Sequence, residues 1–222
     1  MATRFYLIGW VNATTVPDVT PPFDAMWEQT GNAVRRWMTP STLGKHGGSD
    51  TVSPTLTISS TDDHLAFQFI SEPLDAVLIQ GTFGIAMRGI ESDIGANVSL
   101  GVVARVMGGD DTVRGTLCTI DPGDVEFVTG YESRMVTGVA ITPVVAQAGD
   151  RLVVEVGGVV STVTAPSPTF GINVQAGANG NDYTISGDAV ARNTWIEFSQ
   201  DLWYTPINRS VRPAMFAPGI AR

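Results

Sequence analysis

Val98-Ser-Leu-Gly-Val-Val-Ala-Arg-Val106 places Val98, Leu100, Val102, Ala104 and Val106 on one side of an extended chain and Ser99 and Arg105 on the other. Side chains alternate across a strand, whereas a helix groups residues three and four apart, so this run reads as a β-strand with one buried face. The alternation recurs on both sides of it. Leu65, Phe67 and Phe69 oppose His64, Ala66 and Gln68, and Val77, Ile79, Phe83, Ile85 and Met87 oppose Gln80, Thr82 and Arg88. Leu152, Val154 and Val156 oppose Arg151 and Glu155, and Ile196 and Phe198 oppose Glu197 and Ser199.

Turn chemistry separates these runs: Thr61-Asp62-Asp63, Gly108-Gly109-Asp110-Asp111, Asp121-Pro122-Gly123-Asp124 and Gly149-Asp150. About nine strands are expected between residues 55 and 201, with no helical period anywhere in that stretch. Many short strands joined by glycine-rich turns predict an all-β fold, a jelly-roll-like antiparallel β-sandwich. Gly81, Gly84 and Gly89 fall inside one long run near 76–90, where glycine marks a bulge or bend.

The ends read differently. Residues 1–54 are expected to be an N-terminal arm and irregular segment, interrupted by Pro17, Pro21 and Pro22. Within it, Arg4 to Trp10 reads as extended, and Asp24 to Met38 as a helix or as a strand over Ala33 to Met38, broken at Gly31-Asn32. Residues 55–201 form the sandwich. Residues 202–222 form a C-terminal arm with Pro206, Pro213 and Pro218, three arginines and no acid. Trp203, Tyr204, Met215 and Phe216 give that arm apolar anchors, unlike a disordered tail. The expected interface residues are Trp10, Trp27, Trp203, Tyr204, Arg209, Arg212 and Phe216, because large amphipathic rings and arginine are what interfaces enrich.

The 222 residues suit one domain with arms and can bury a core without covalent staples. Only 16% are charged, against about 25% in ordinary chains, which suits a surface partly covered by partners. The net charge of −9 repels phosphate backbones, so nucleic acid is not expected as a partner. Lys45 is the sole lysine. The N-terminus lacks the pattern of a signal peptide and no run is long enough to span a membrane, so synthesis in a cytoplasm is expected.

Chemistry has few footholds. Cys118 is the single cysteine and sits in an apolar run, as a buried structural thiol would. His46 and His64 are the only histidines, and no Gly-x-Ser-x-Gly elbow exists, so a histidine-dependent hydrolase is not expected. Two isolated histidines do not make a zinc or iron site. Asp121 and Asp124, Asp110 and Asp111, and Asn179-Gly-Asn181-Asp182 could offer oxygen ligands to calcium, but Asp and Asn are also ordinary turn residues. Glu126, Glu132, Glu155 and Glu197 are too scattered to define a glycosidase pair. No cofactor is expected. The five tryptophans, Trp10, Trp27, Trp37, Trp195 and Trp203, permit a carbohydrate-binding reading beside the interface one. Asn12-Ala-Thr14, Asn97-Val-Ser99 and Asn208-Arg-Ser210 match the N-glycosylation pattern by chance.

Met1-Ala-Thr-Arg-Phe-Tyr-Leu7, Pro22-Phe-Asp-Ala-Met-Trp-Glu28, Ala148-Gly-Asp-Arg-Leu-Val-Val-Glu-Val-Gly157 and Asn193-Thr-Trp-Ile-Glu-Phe-Ser199 together resemble a family of tailed-bacteriophage and prophage virion structural proteins. The chain departs from that family at Ile8-Gly-Trp10, where a proline-serine turn would stand. The resemblance implies a non-enzymatic virion component of β-sandwich type, a capsid decoration or tail protein, and names no catalytic residue. The expected partners are other virion proteins and further copies of the chain in a homo-oligomer. The rival expectation is a carbohydrate-binding module that adsorbs to a host-surface glycan.

Overall fold

The computed structural model describes residues 2–7, 17–40, 49–109, 111–121, 126–175 and 181–204. These contain thirteen strands and no helix. The strands are β1 (Thr3–Leu7), β2 (Val34–Thr39), β3 (Ser49–Val52), β4 (His64–Ile70), β5 (Val77–Ile79), β6 (Thr82–Glu91), β7 (Val98–Met107), β8 (Val113–Ile120), β9 (Glu132–Ala140), β10 (Val144–Ala146), β11 (Arg151–Val160), β12 (Phe170–Gln175) and β13 (Trp195–Phe198).

Eleven strands join in the order β3-β12-β6-β13-β1-β2-β4-β11-β7-β8, with β9 on the other side of β6. All pairings are antiparallel except β2 with β4. β1 meets β2 through only two residue pairs. At that thin joint the sheet turns over, and the two halves share one core. Phe5, Phe83 and Phe198 come from one half and Phe67 and Phe69 from the other. The chain crosses between halves repeatedly: β4 in one, β6 in the other, β7 and β8 back, β9 across, β11 back, β12 and β13 across. This is the all-β sandwich that the alternating runs require. β5 and β10 form a separate two-stranded ribbon.

The alternation locates the core well. Val98, Leu100, Val102, Ala104, Val106, Leu152, Val154, Val156, Ile196 and Phe198 all point into it. Leu65 is a correction. It was expected beside Phe67 and Phe69 but packs on the opposite face with Trp27 and Val103. A bulge is the cause: Phe67 opposes Val156 and Leu65 opposes Gly157, leaving Ala66 as the extra residue that enters the core. The single run near 76–90 is two strands, bent at Gly81, whose φ of 100° disfavours any side chain. The pairing of β6 with β9 shifts register between Phe83 and Ile85, at Gly84.

The described strands of the expected N-terminal arm belong to the body. β1, β2 and β3 precede residue 54, yet all three lie in the main sheet. Asp24 to Met38 is not helical, and its strand runs from Val34 to Thr39. Residues 17–33 cross the outer face of β4, β11 and β7 as a strap, because that face carries polar groups for their backbone. Glu155, fully buried, accepts hydrogen bonds from the Asp24 amide (3.0 Å), Trp27 Nε1 (2.9 Å), Gln68 Nε2 (2.9 Å) and Arg105 (2.5 Å). Gln68 and Arg105 also donate to the carbonyls of Pro21 and Pro22 respectively. The prolines therefore shape the strap rather than freeing it.

Trp27 fits against Gly101 and Gly157, where a side chain would collide with its ring. A Cβ on Gly157 would also overlap the His64 carbonyl oxygen. Gly157→Ala is expected to cost about 1–3 kcal/mol through overpacking. A urea midpoint unchanged from the parent would show that the strap yields instead.

Candidate interaction surface

At the C-terminal end of β13 the chain turns to run along the free edge of β5. Gln200 braces the ribbon, its side-chain oxygen accepting from the Gln80 amide (2.9 Å) and its Nε2 donating to the Leu78 carbonyl (2.7 Å). Further on, the Asp75 amide donates to the Trp203 carbonyl (3.1 Å), and Leu74 bridges to Tyr204. The segment runs antiparallel to residues 74–80. Leu202 is buried, and the Tyr204 ring packs edge-on against Phe5 at 5.7 Å. Burial pushes the Tyr204 phenol well above its usual range. Residues 202–204, expected in the C-terminal arm, thus contribute to the core.

Trp203 points the other way and is 67% exposed. On the ribbon beside it, Leu78 and Val145 stand directly opposite each other in the pairing, so their side chains share a face. Their exposures are 44% and 67%, while their neighbours Ile79, Val144 and Ala146 fill the inner face. This end of the sandwich therefore shows three large apolar side chains to solvent. Exposed apolar groups gathered in one place mark a contact surface more often than an ordinary one.

The predicted interface residues divide sharply. Trp203 is exposed at this end. Tyr204 anchors it from below. Trp27 is buried within its own chain against Glu155 and the two glycines, so its ring is not at the surface. Trp10, Arg209, Arg212 and Phe216 lie outside the described residues. Leu78 and Val145 were missed. Their signal was the uninterrupted apolar triplets Val77-Leu78-Ile79 and Val144-Val145-Ala146, in which both faces of a strand are apolar.

Several of the groups that could do chemistry instead hold the fold together. Glu155 holds the strap. Glu197 pairs with Arg4 (2.8 Å) and Glu132 with Arg134 (3.3 Å). Asp182, in the calcium candidate stretch, receives Arg4 (3.0 Å), Tyr6 (3.0 Å) and Asn193 (2.8 Å). Asp111 has a positive φ of 61° and closes a turn onto the Gly108 carbonyl. Asp110, Asp124, Asn179 and His46 lie outside the described residues. Among the described residues no three His, Cys, Asp or Glu side chains gather as a metal site. Burial lowers the affinity of His64 for its proton, and its ring packs edge-on against Phe170. The Cys118 thiol is buried and pushed up to about 12, far from thiolate chemistry. Trp195 is no sugar platform: Arg4 covers its ring at 4.2 Å, and its Nε1 donates to the Tyr183 carbonyl.

One carboxylate stands apart. Glu91 is 2% exposed, and its Oε2 has no hydrogen-bond partner among the described residues. Burial, and then the nearby Glu126 charge, push it up to about 7, against the pull of Arg134. Between the ordinary glutamate value and about 7 the folded chain binds this proton and the unfolded chain does not. Stability contributed by Glu91 is therefore complete at the acid end and lost as pH rises through about 7. Urea unfolding followed from about pH 5 to about pH 8 should show that decline, and Glu91→Gln should make it shallower, above all between about pH 6 and 7, beyond the value to which burial raises Asp63. An equal slope in both proteins would count against the buried-proton reading.

No family model matches the chain, and no curated protein matches it. Among solved structures it is similar to a CocE/NonD family hydrolase from Staphylococcus aureus, at 9% identity over 90% of this chain and 36% of that one, with a TM-score of 0.46. An alpha-amino acid ester hydrolase gives 10% identity over 89% and 36%, with a TM-score of 0.39. The VP2 protein of infectious bursal disease virus, solved as a subviral particle, gives 12% identity over 69% and 35%, with a TM-score of 0.29. The chain spans about a third of the length of these proteins. Likenesses this distant bear on neither hydrolysis nor capsid building, since one sandwich architecture serves many functions.

Proposed function

We propose that the chain is a non-enzymatic structural subunit of a virion, docking onto the particle as a capsid decoration or tail component. The observation that carries this reading is where its apolar groups lie. Glu155, Asp182 and Glu197 are paired with arginines of their own chain, Glu155 in the interior, while Trp203, Val145 and Leu78 face outward at one end. A rigid sandwich with an apolar end suits a part that is placed rather than one that turns over a substrate. The phage-like stretches at residues 1–7, 22–28, 148–157 and 193–199 support the same reading.

The test is incorporation. Purified chain mixed with particles made without it should co-sediment with them, and should lose that ability when Trp203 is replaced by Ala or Leu78 by Asp. Chain that stays in the supernatant under all conditions overturns the proposal. The rival reading, a carbohydrate-binding module, has the exposed Trp203 ring in its favour among the described tryptophans. Trp27, Trp37 and Trp195 are buried. Binding on a glycan array, abolished by Trp203→Ala and with no attachment to particles, would favour it.

A further inference from the structure

The apolar end has a charge as well as a shape. Three acids lie along the same two segments: Glu72 and Asp75 precede Leu78 in the chain, Asp201 precedes Trp203, and the Asp75 amide bonds the Trp203 carbonyl; Asp75 and Asp201 are exposed. The sequence supplies a complement. Residues 205–222 carry Arg209, Arg212 and Arg222 with no acid, and the apolar Met215 and Phe216. All 22 acids and only ten of the thirteen bases lie in residues 1–204. An acid-free stretch with three arginines thus begins one residue beyond Tyr204, at the root of the acidic, apolar end.

We propose that this end receives the basic C-terminal stretch, residues 205–222, of a second copy of the chain. The contact is reciprocal. Because the root of the stretch and the surface that accepts it sit side by side, a two-fold axis through this end brings each stretch to the other copy's surface. Arginine pairs with the acidic rim, and Met215 and Phe216 cover the Leu78–Val145 face. This rests on the assembly reading above and deepens it by naming the first partner, another copy of the chain.

Sedimentation equilibrium of the full chain tests it. The parent should form dimers or a larger closed assembly. Val145→Asp, which puts a charge into the apolar face, and the double replacement Arg209→Glu with Arg212→Glu should each raise the dissociation constant by about tenfold or more. Adding Glu72→Arg and Asp201→Arg to the arginine replacements should restore association, which mere misfolding would not do. A parent monomeric at all concentrations, or an association indifferent to Arg209 and Arg212, overturns the proposal. So does a chain carrying both Arg212→Cys and Leu78→Cys whose crosslink joins residues of one chain only, because the stretch then covers its own subunit. The two proposals fail separately. A monomer that still co-sediments with particles sinks only the pairing between copies, whereas a well-formed dimer that ignores particles sinks the virion role.

Discussion

Glu155→Ala is expected to lower the unfolding free energy by about 3–5 kcal/mol, although the residue lies outside the hydrophobic core. Its carboxylate is fully buried and is the single acceptor that joins Asp24, Trp27, Gln68 and Arg105. Removing it leaves Arg105, itself 3% exposed, with Asp24 at 3.5 Å as its remaining acidic partner. A buried cation stripped of its main counter-charge costs far more than an exposed pair, which is worth at most about 1 kcal/mol. The strap would also lose its hold, since the Asp24 amide and the Trp27 indole both end on the same carboxylate. The paired replacement Glu155→Leu with Arg105→Met should recover much of the loss, because it removes both charges together. Urea unfolding of the three proteins measures this. A loss below about 1 kcal/mol for Glu155→Ala would mean that water reaches the site.

Phe198→Ala is the second large effect, at about 3–5 kcal/mol. The ring is fully buried, and it meets Phe5 edge-on at 6.1 Å and Phe83 at 5.4 Å. These three rings come from β13, β1 and β6, neighbouring strands of one half of the sandwich, and share one core with the Phe67–Phe69 stack of the other half. Removing Phe198 opens a cavity in that core, and the flanking rings cannot close it while their strands remain paired. Thermal or urea unfolding reports the loss. A near-neutral outcome would mean that Ile196 and Phe198 face outward and Glu197 inward, the reverse of the arrangement described.

Much of the sandwich was legible because the period-two signal is local. Val98 to Val106, Leu152 to Val156 and Ile196 to Phe198 each declare their buried face within a few residues. The Leu65 inversion was not legible, because a bulge depends on the partner strand: Ala66 is extra only with respect to Gly157. The strap was hidden for a similar reason. Glu155 and Arg105 look like solvent-facing residues of alternating strands, and only the return of residues 17–33 over them converts them into a buried pair. Polar residues in a strand say that the face is not oily, not that it is wet. At the candidate surface, Trp203 is singled out by its type and place and is exposed. Leu78 and Val145 are not singled out, because an apolar triplet is equally well explained by a strand buried on both faces. Trp27 misled for a related reason, since large rings are enriched in cores and interfaces alike.

The most direct test of the virion role is a reconstruction of purified particles from the genome that encodes the chain, with mass spectrometry of the same material. The chain should be present in fixed proportion to the major structural protein, with density into which the sandwich fits and with Trp203, Leu78 and Val145 against a neighbouring subunit. Particles that are complete and infectious yet contain no copy of it would contradict the account outright.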